Sequence, residues 1–354
     1  MHVMIRADGN REIAMGHMMR CLSIADALRQ TGAEVVFVTA GAETKTLIAD
    51  RGYVDFILGT SYRDMEAELP VFEKFYREFY GEAGADLLLV DSYFVTKGYM
   101  DELGRWARTV YIDDMGRPVY PVSVLINYNI YGHELPYRQW YEQDKMNLPE
   151  KCLLGCRYAP LRGEFQEGRR SRIQSRVTDV LVTTGGGDLT GAAGKLCRRL
   201  EWEKEEGLHE GVRYHIICGP FSENRKVLKK IAEGNPEFVI HENVRSMSEL
   251  MEKCDIAVSA AGSTMYELCS MGLPAICFYF ADNQRQMAEC FARTTEVTNA
   301  GNMAAEEEKT LDRLLAALGR LEQDEMLRGR IREQMSRLTD GRGAVRIAEA
   351  LMEL

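Results

Sequence analysis

The chain has 354 residues, 45% of them hydrophobic and 28% charged, with a formal net charge of −10. That composition suits two globular α/β domains and excludes a disordered chain. The negative balance argues against nucleic acid as a partner, while leaving room for a local basic pocket. Nine cysteines are scattered through apolar segments without a CxxC pair, Cys152 and Cys156 forming a lone C-x3-C. They read as reduced thiols packed as small hydrophobes. Arg6, Asp8 and Arg11 fall within the first dozen residues, unlike a secretory signal. No apolar run reaches the roughly 18 residues of a membrane span. The expectation is a soluble cytoplasmic enzyme without a membrane partner, a monomer or weak homo-oligomer.

Taken in order, His2–Ala7 predicts a first strand and Asp8–Gly16 a polar loop. His17 opens a helix in which Met18, Cys21, Leu22, Ile24, Ala25 and Leu28 recur at helical spacing, with Gly32 beyond its end. Glu34–Thr39 predicts a strand, Thr44–Asp50 a helix and Asp55–Leu58 a short strand. Met65–Tyr80 is a helix whose aromatic face, Phe72, Phe75, Tyr76 and Phe79, reads as core. Asp86–Asp91 is a buried strand ending in an acid. Lys97–Arg108 is a helix, and Thr109–Asp113 and Val122–Asn127 are strands. Tyr128–Arg172 has little periodicity and reads as a connection, with Lys151–Leu154 one ordered piece and Arg169, Arg170 and Arg172 solvated.

Alternation restarts at Val177. Asp179–Thr183 is a strand, Thr184–Asp188 a glycine-rich turn, and a helix follows through Leu200. Arg213–Cys218, Phe238–Ile240, Asp255–Ser259 and Ala275–Phe280 predict strands. Asn224–Glu233 and Met247–Lys253 predict helices, and Glu306 to the end three more. Strands alternating with helices predict two doubly wound parallel sheets. The expected division is residues 1–160 and 175–335, each Rossmann-like, with a helix in 336–354 packing back on the first domain.

Ligands of open parallel sheets lie beyond the C-terminal strand ends. In the first half those ends offer Asp8, Gly16, His17 and Arg20; Asp91, Ser92 and Tyr93; and Asp113 and Asp114. In the second half they offer Gly185–Gly187 and Gly262. Ser263 and Thr264 sit at the cap and first turn of a helix that Gly272 and Pro274 stop. Free N–H groups there favour a diphosphate, and Glu267 one turn on can accept from ribose hydroxyls. An ordinary strand–helix–strand crossover fits the same residues. His17, at a positive helix end, suits a general base in its neutral form. Donation to a phosphate, or capping alone, also fits its position. His215 reads as core, and His241 can flank a nucleotide. No cluster has metal-ligand spacing, and Gly185–Gly187 lacks the Lys-Ser/Thr of a P-loop.

Several segments together carry a resemblance: Gly16-His17-x-x-Arg20-Cys21-Leu22, Val90-Asp91-Ser92-Tyr93, Ile112-Asp113-Asp114, Leu154-Gly155-x-Arg157-Tyr158-Ala159-x-Leu161-Arg162, Thr184-Gly185-Gly186-Gly187-Asp188, Ala261-Gly262-Ser263-Thr264-x-x-Glu267-Leu268 and Ala281-Asp282-Asn283-Gln284. In this order, over about residues 3–290, the chain resembles the PseG family of UDP-sugar hydrolases and the related SpsG spore-coat proteins. The resemblance implies the GT-B fold, two Rossmann-like domains facing across a cleft, as in MurG. It implies hydrolysis of UDP-2,4-diacetamido-2,4,6-trideoxy-β-L-altropyranose to UDP and free sugar, with inversion, no cofactor and no required metal. His17 matches the family's proposed base, and Ser263, Thr264 and Glu267 match nucleotide-binding positions. The second domain is then expected to hold UDP, with Gly185, Gly186, Gly262, Asp282, Asn283 and Gln284 among its contacts. The first is expected to close over the sugar, with Gly16, Arg20, Asp91, Tyr93, Asp113 and Asn127 as contact candidates. Ala14 stands where the family usually has glycine, and a small loop adjustment is expected. A glycosyltransferase of the same fold and a non-catalytic nucleotide-sugar binder are the other classes. The apolar and basic patch of membrane-associated transferases is not legible here, and Gly16, His17 and Asp91 argue against a mere binder.

Overall fold

The apolar runs of the first half form the strands of one parallel sheet, and those of the second half form another. The computed structural model describes the chain except residues 167–172, 186, 187, 189, 207, 220, 221 and 223, and the side chain of Asn283. The expected solvated arginines Arg169, Arg170 and Arg172, and Gly186 and Gly187, lie outside the described residues. Two compact units result, Met1–Arg162 with Arg342–Leu354, and Gly163–Gly341.

Unit 1 runs β1 (His2–Ala7), α1 (Gly16–Gln30), β2 (Glu34–Thr39), α2 (Lys45–Asp50), β3 (Val54–Ile57), α3 (Met65–Tyr80), β4 (Leu87–Asp91), α4 (Lys97–Trp106), β5 (Arg108–Ile112), β6 (Val124–Asn127), α5 (Tyr137–Gln143) and β7 (Lys151–Leu154). The strand order is β3-β2-β1-β4-β5-β6-β7, all neighbours parallel. All five residues of β4 are buried, as expected where helices cover both faces of a parallel sheet. One face packs Met4, Leu88, Val90 and Tyr111 against Phe72 and Tyr76 of α3 and Tyr99, Met100 and Leu103 of α4. Each such side chain contributes about 1.5–3 kcal/mol by leaving water. Asp64 caps α3 by accepting from the Ala67 amide at 3.1 Å, and Thr96 caps α4 by accepting from Tyr99 at 3.1 Å. The aromatic face of α3 divides: Phe72 and Tyr76 are core, while Phe79 is 48% exposed.

Unit 2 runs β8 (Asp179–Thr183), α6 (Ala192–Glu205), β9 (Arg213–Cys218), α7 (Arg225–Gly234), β10 (Phe238–Glu242), α8 (Met247–Lys253), β11 (Ile256–Ala260), α9 (Thr264–Met271), β12 (Ala275–Tyr279), α10 (Asp282–Thr294), β13 (Thr298–Asn302), α11 (Glu307–Gln323) and α12 (Glu325–Ser336). Its parallel sheet has the order β10-β9-β8-β11-β12-β13. The last helix, α13 (Gly343–Met352), belongs to unit 1, where it packs on α1. Arg346 Nη1 donates to the Arg157 carbonyl at 3.1 Å, and Lys151 Nζ to the Ala350 carbonyl at 2.7 Å.

Two stretches differ from the sequence reading. Tyr128–Arg162 is not a connection but part of unit 1, with Tyr128, Tyr131, Tyr137 and Tyr141 buried. Tyrosine buries its ring while its hydroxyl finds a partner, so a tyrosine-built core shows no simple hydrophobic period. Tyr141, for instance, donates to the Tyr120 carbonyl at 2.8 Å. The edge strand β13 reads Thr-Asn-Ala-Gly-Asn and carries no apolar signal. Its place comes from pairing with β12, across a register irregularity between Cys277 and Tyr279.

In each sheet the strand order reverses once, between β1 and β4 in unit 1 and between β8 and β11 in unit 2. The crevices beyond such reversals are where open α/β sheets take ligands.

Candidate active-site residues

At the unit 1 reversal, β1 leads into a tight loop. Asn10 Oδ1 accepts from the Glu12 and Ile13 amides at 2.8 and 3.1 Å, and Ala14 adopts φ +57°. An L-residue pays strain in that left-handed region, where glycine does not. The exposed Gly16 then starts α1, whose Met15 cap position makes no side-chain capping bond.

His17, the second residue of α1, is 3% exposed. Its Nδ1 donates to Asp91 Oδ1 at 2.6 Å. Asp91 ends β4, in register with Ala7 of β1. One turn along α1, Arg20 grips the same carboxylate with both arms, Nε to Oδ2 at 2.5 Å and Nη2 to Oδ1. Burial alone pushes the Asp91 carboxyl up, but Arg20 and His17 outweigh it and hold the group below the usual carboxylate range. Asp91 is therefore an anion and accepts only. Arg20 Nη2, a donor only, also lies 2.9 Å from Nδ1, and the shorter contact to anionic Asp91 assigns the proton to Nδ1, so that in the neutral ring Nε2 keeps the lone pair. Nε2 has no hydrogen-bond partner among the described residues. The Tyr93 ring meets the His17 ring edge-on, centroids 4.4 Å apart, and is itself 42% exposed.

Arg20 Nη1 also donates to Asp114 Oδ2 and to the Tyr128 hydroxyl, both at 2.5 Å. With its donors engaged by protein oxygens and its bulk buried, Arg20 positions Asp91 and Asp114; it is not arranged as a phosphate clamp. Tyr93 donates to Asp114 Oδ2 at 3.3 Å. Asp114, offered at a strand end but not among the sugar-contact candidates, and Tyr128, which the sequence reading placed in a connection, are thus parts of the cluster. Their only signals were the paired acids of Ile112-Asp113-Asp114 and a tyrosine directly after Asn127. Cys21 donates weakly to Asp91 Oδ2 at 3.5 Å, and burial pushes its thiol up, so it stays protonated.

Asp113 and Asn127 belong to the scaffold. Asp113 is 2% exposed; Oδ1 accepts from the Met115 and Gly116 amides, both at 2.8 Å, and Oδ2 from the Tyr137 hydroxyl at 2.5 Å. Asn127 is fully buried, donating to Tyr137 at 2.7 Å and accepting from the Asn129 amide at 3.0 Å. Spacing brings both to C-terminal strand ends but does not tell which side chains there the adjoining turns take up. A second buried ionic group anchors the loop before His17. Arg6 forks onto Glu68 at 2.7 and 2.8 Å and pairs with Asp8, and Asp8 Oδ1 accepts from the Ala40 amide at 2.8 Å.

At the unit 2 reversal the two turns differ. After β8, Gly185 has φ +81°, and Gly186 lies outside the described residues. Buried Asp188 then accepts from the Ala192 and Ala193 amides at 2.8 and 3.2 Å. A carboxylate thus already occupies the α6 N-terminus, leaving it ill-suited to a phosphate. After β11, Gly262 leads to exposed Ser263, which holds the cap position of α9 without the expected side-chain bond. Met265 and Tyr266 donate back to the Gly262 and Ser263 carbonyls, both at 3.0 Å. The Ser263 and Thr264 amides have no partner among the described residues. The end of α9 is therefore open to an anion. Glu267 lies half-buried one turn into the helix.

Beyond β12, Asp282 is exposed at the start of α10, and Gln284 Oε1 accepts from the Phe280 amide at 3.0 Å. The side chain of Asn283 lies outside the described residues. His241 sits on the far edge strand β10, 2.9 Å from His215 Nδ1, and His215 Nε2 is 2.9 Å from Asp179. Among the described residues, no group of three or more His, Cys, Asp or Glu is arranged to hold a metal ion. Nor is any helix among them long and apolar enough to cross a membrane.

The architecture superposes on MurG of Acinetobacter baumannii with a TM-score of 0.68, covering 100% of this chain and 99% of that one at 14% identity. This is the GT-B fold. Residues 180–349 match the glycosyltransferase family 28 C-terminal domain, so that match covers most of the second GT-B unit. Three relatives share the sequence at low identity. An uncharacterized protein of Methanocaldococcus jannaschii is 22% identical over 84% of this chain, which spans 60% of that protein. The spore coat polysaccharide biosynthesis protein SpsG of Bacillus subtilis is 24% identical over 100% of this chain and 98% of its own length. The pseudaminic acid cytidylyltransferase and UDP-2,4-diacetamido-2,4,6-trideoxy-beta-L-altropyranose hydrolase of Helicobacter pylori is 25% identical over 58% of this chain, spanning 36% of that protein.

Proposed function

We propose that the protein hydrolyses a UDP-linked 2,4-diacetamido-2,4,6-trideoxyhexose to UDP and the free sugar, serving pseudaminic acid or spore-coat polysaccharide synthesis. The observation that carries this reading is His17, whose Nδ1 is anchored to ionised Asp91 while Nε2 has no partner among the described residues. In this mechanism Nε2 takes a proton from water as the water oxygen bonds to the anomeric carbon. The carbon–oxygen bond to UDP breaks from the opposite side, inverting the centre, and its electron pair goes to the diphosphate. Asp91 keeps the ring in the required tautomer and stabilises the imidazolium that forms. Arg20 holds Asp91 in place. Tyr93, exposed beside the His17 ring, is the remaining sugar-contact candidate on this side.

Unit 2 is assigned the nucleotide. The open amides of Ser263 and Thr264 and the dipole of α9 suit a diphosphate leaving group. Glu267 is assigned to the ribose hydroxyls. Two relatives support the reading by name, SpsG for the polysaccharide context and the Helicobacter pylori protein for the hydrolysis.

A second reading is glycosyl transfer, in which His17 deprotonates a hydroxyl acceptor instead of water. The match of residues 180–349 to a glycosyltransferase domain favours it. Incubation with a panel of UDP-linked diacetamido and monoacetamido sugars, without acceptor, separates the two. Hydrolysis predicts stoichiometric UDP and free sugar from the diacetamido donors. UDP release that appears only when a sugar or lipid acceptor is added would establish transfer.

A further inference from the structure

Unit 1 exposes an apolar patch that nothing in the reaction uses. Among the described residues β3 ends the sheet and pairs only with β2, which leaves one edge of its backbone open. Val54 on this strand is 53% exposed. Its neighbour Phe56 points to the α3 side, where it packs on Phe75 and Phe79 with ring centroids 3.8 and 5.0 Å away. On α3, Val71, Phe75 and Phe79 follow one another at four-residue spacing and form one stripe. Val71 is 44% exposed and Phe79 48%. Soluble chains rarely leave an open edge strand beside an exposed aromatic stripe uncovered.

The charges beside the stripe indicate what covers it. Lys74 and Glu78 run parallel to it on the outer side of α3, 3.8 Å apart and both largely exposed. The same outer surface carries Glu66, Arg77 and Glu82. It is mixed to acidic, which does not suit an anionic lipid surface. It does suit itself. When two copies of α3 pack antiparallel about a two-fold axis through Phe75, Val71 of each meets Phe79 of the other. Lys74 of each then lies beside Glu78 of the other. A two-fold contact requires that kind of self-complementarity.

We propose that the Val71–Phe75–Phe79 stripe of α3, with the edge strand β3, is the face through which two copies of this chain form an isologous dimer.

Sedimentation velocity of the full chain over roughly 1–100 μM tests this, a range that brackets the affinity of a modest interface. A concentration-dependent dimer is expected. Phe79→Glu places a charge in the contact and should weaken dimerisation about a hundredfold. At a concentration where both chains are monomeric its thermal melt should match that of wild type, because Phe79 is half-exposed in the single chain. Lys74→Glu and Glu78→Lys should each weaken the dimer a few-fold, and the double reversal should restore it, since the cross-copy pairs re-form. A wild-type chain that stays monomeric throughout the range overturns the proposal. So does a double reversal that leaves the dimer as weak as either single change. A monomer that co-floats with vesicles of anionic phospholipid would assign the patch to a membrane and overturn it likewise.

Discussion

The two units place their candidate sites at the same topological point and build them from different materials. In unit 1 the reversal between β1 and β4 is filled by side chains: His17, Asp91, Arg20, Asp114 and Tyr128 hold one another. In unit 2 the reversal between β8 and β11 presents backbone, the amides of Ser263 and Thr264 at the start of α9. Proton transfer needs one nitrogen with a fixed tautomer, and only an oriented and buried partner supplies that. Holding a diphosphate needs donors and a positive helix end, which the backbone supplies without committing a side chain. The α6 N-terminus marks the boundary between the two strategies, since there the chain provides its own carboxylate, Asp188.

The largest expected effect lies on the side-chain half. His17→Asn should lower turnover by roughly 10²–10⁴, the usual contribution of a general base, while UDP affinity is kept. A rate within a few-fold of wild type would assign His17 to binding and dissolve the contrast.

Next is Arg20→Met. Removing one partner of a buried ion pair costs about 3–5 kcal/mol, because Asp91 and Asp114 are left unneutralised. Chemical denaturation should show that loss. The pH dependence follows from the sign of the Asp91 shift. Its carboxyl is depressed in the fold, so its stabilisation is complete above the ordinary carboxylate range and is lost as pH falls through the folded value. Without Arg20 that value rises, and acid unfolding should begin at higher pH than in wild type. An unchanged acid midpoint would mean that Asp91 does not depend on Arg20.

On the backbone half, Glu267→Ala should weaken UDP binding by roughly 1.5–3 kcal/mol, the cost of a hydrogen bond to a charged group, and change turnover little. Calorimetry that finds equal affinity would remove Glu267 from the nucleotide site.

How far these halves were legible follows the same division. Glycine turns, helix starts and buried strands are local features, so the α9 turn and both parallel sheets could be read from residue order. His17 and Asp91 were visible as strand-end and helix-start residues, but their pairing depends on β4 lying next to β1, which no local pattern encodes. Asp113 and Asn127 show the cost: strand ends in the sequence, buried scaffold in the fold. Ser263 sits at the cap position, yet cap geometry depends on a backbone path that residue type does not set. The tyrosines of Tyr128–Arg162 and the polar β13 escaped because their order is tertiary.

Ala14 gives the smallest effect and sharpens the account of the His17 loop. At φ +57° alanine carries about 1–2 kcal/mol of strain. Glycine would relieve it, against about 0.4–1 kcal/mol of added unfolded-state entropy. Ala14→Gly should therefore stabilise the protein by roughly 0–1.6 kcal/mol. A destabilised variant in urea denaturation would show that the loop is not strained there.

The central claim is that unit 1 activates water for attack on carbon while unit 2 holds the departing diphosphate. Turnover in ¹⁸O-water tests it most directly, with both products analysed promptly by mass spectrometry and a control for exchange at the free sugar's anomeric centre. The account predicts label in the sugar and none in UDP. Label in the UDP phosphate would mean attack on phosphorus, and would move His17 from base to phosphate ligand.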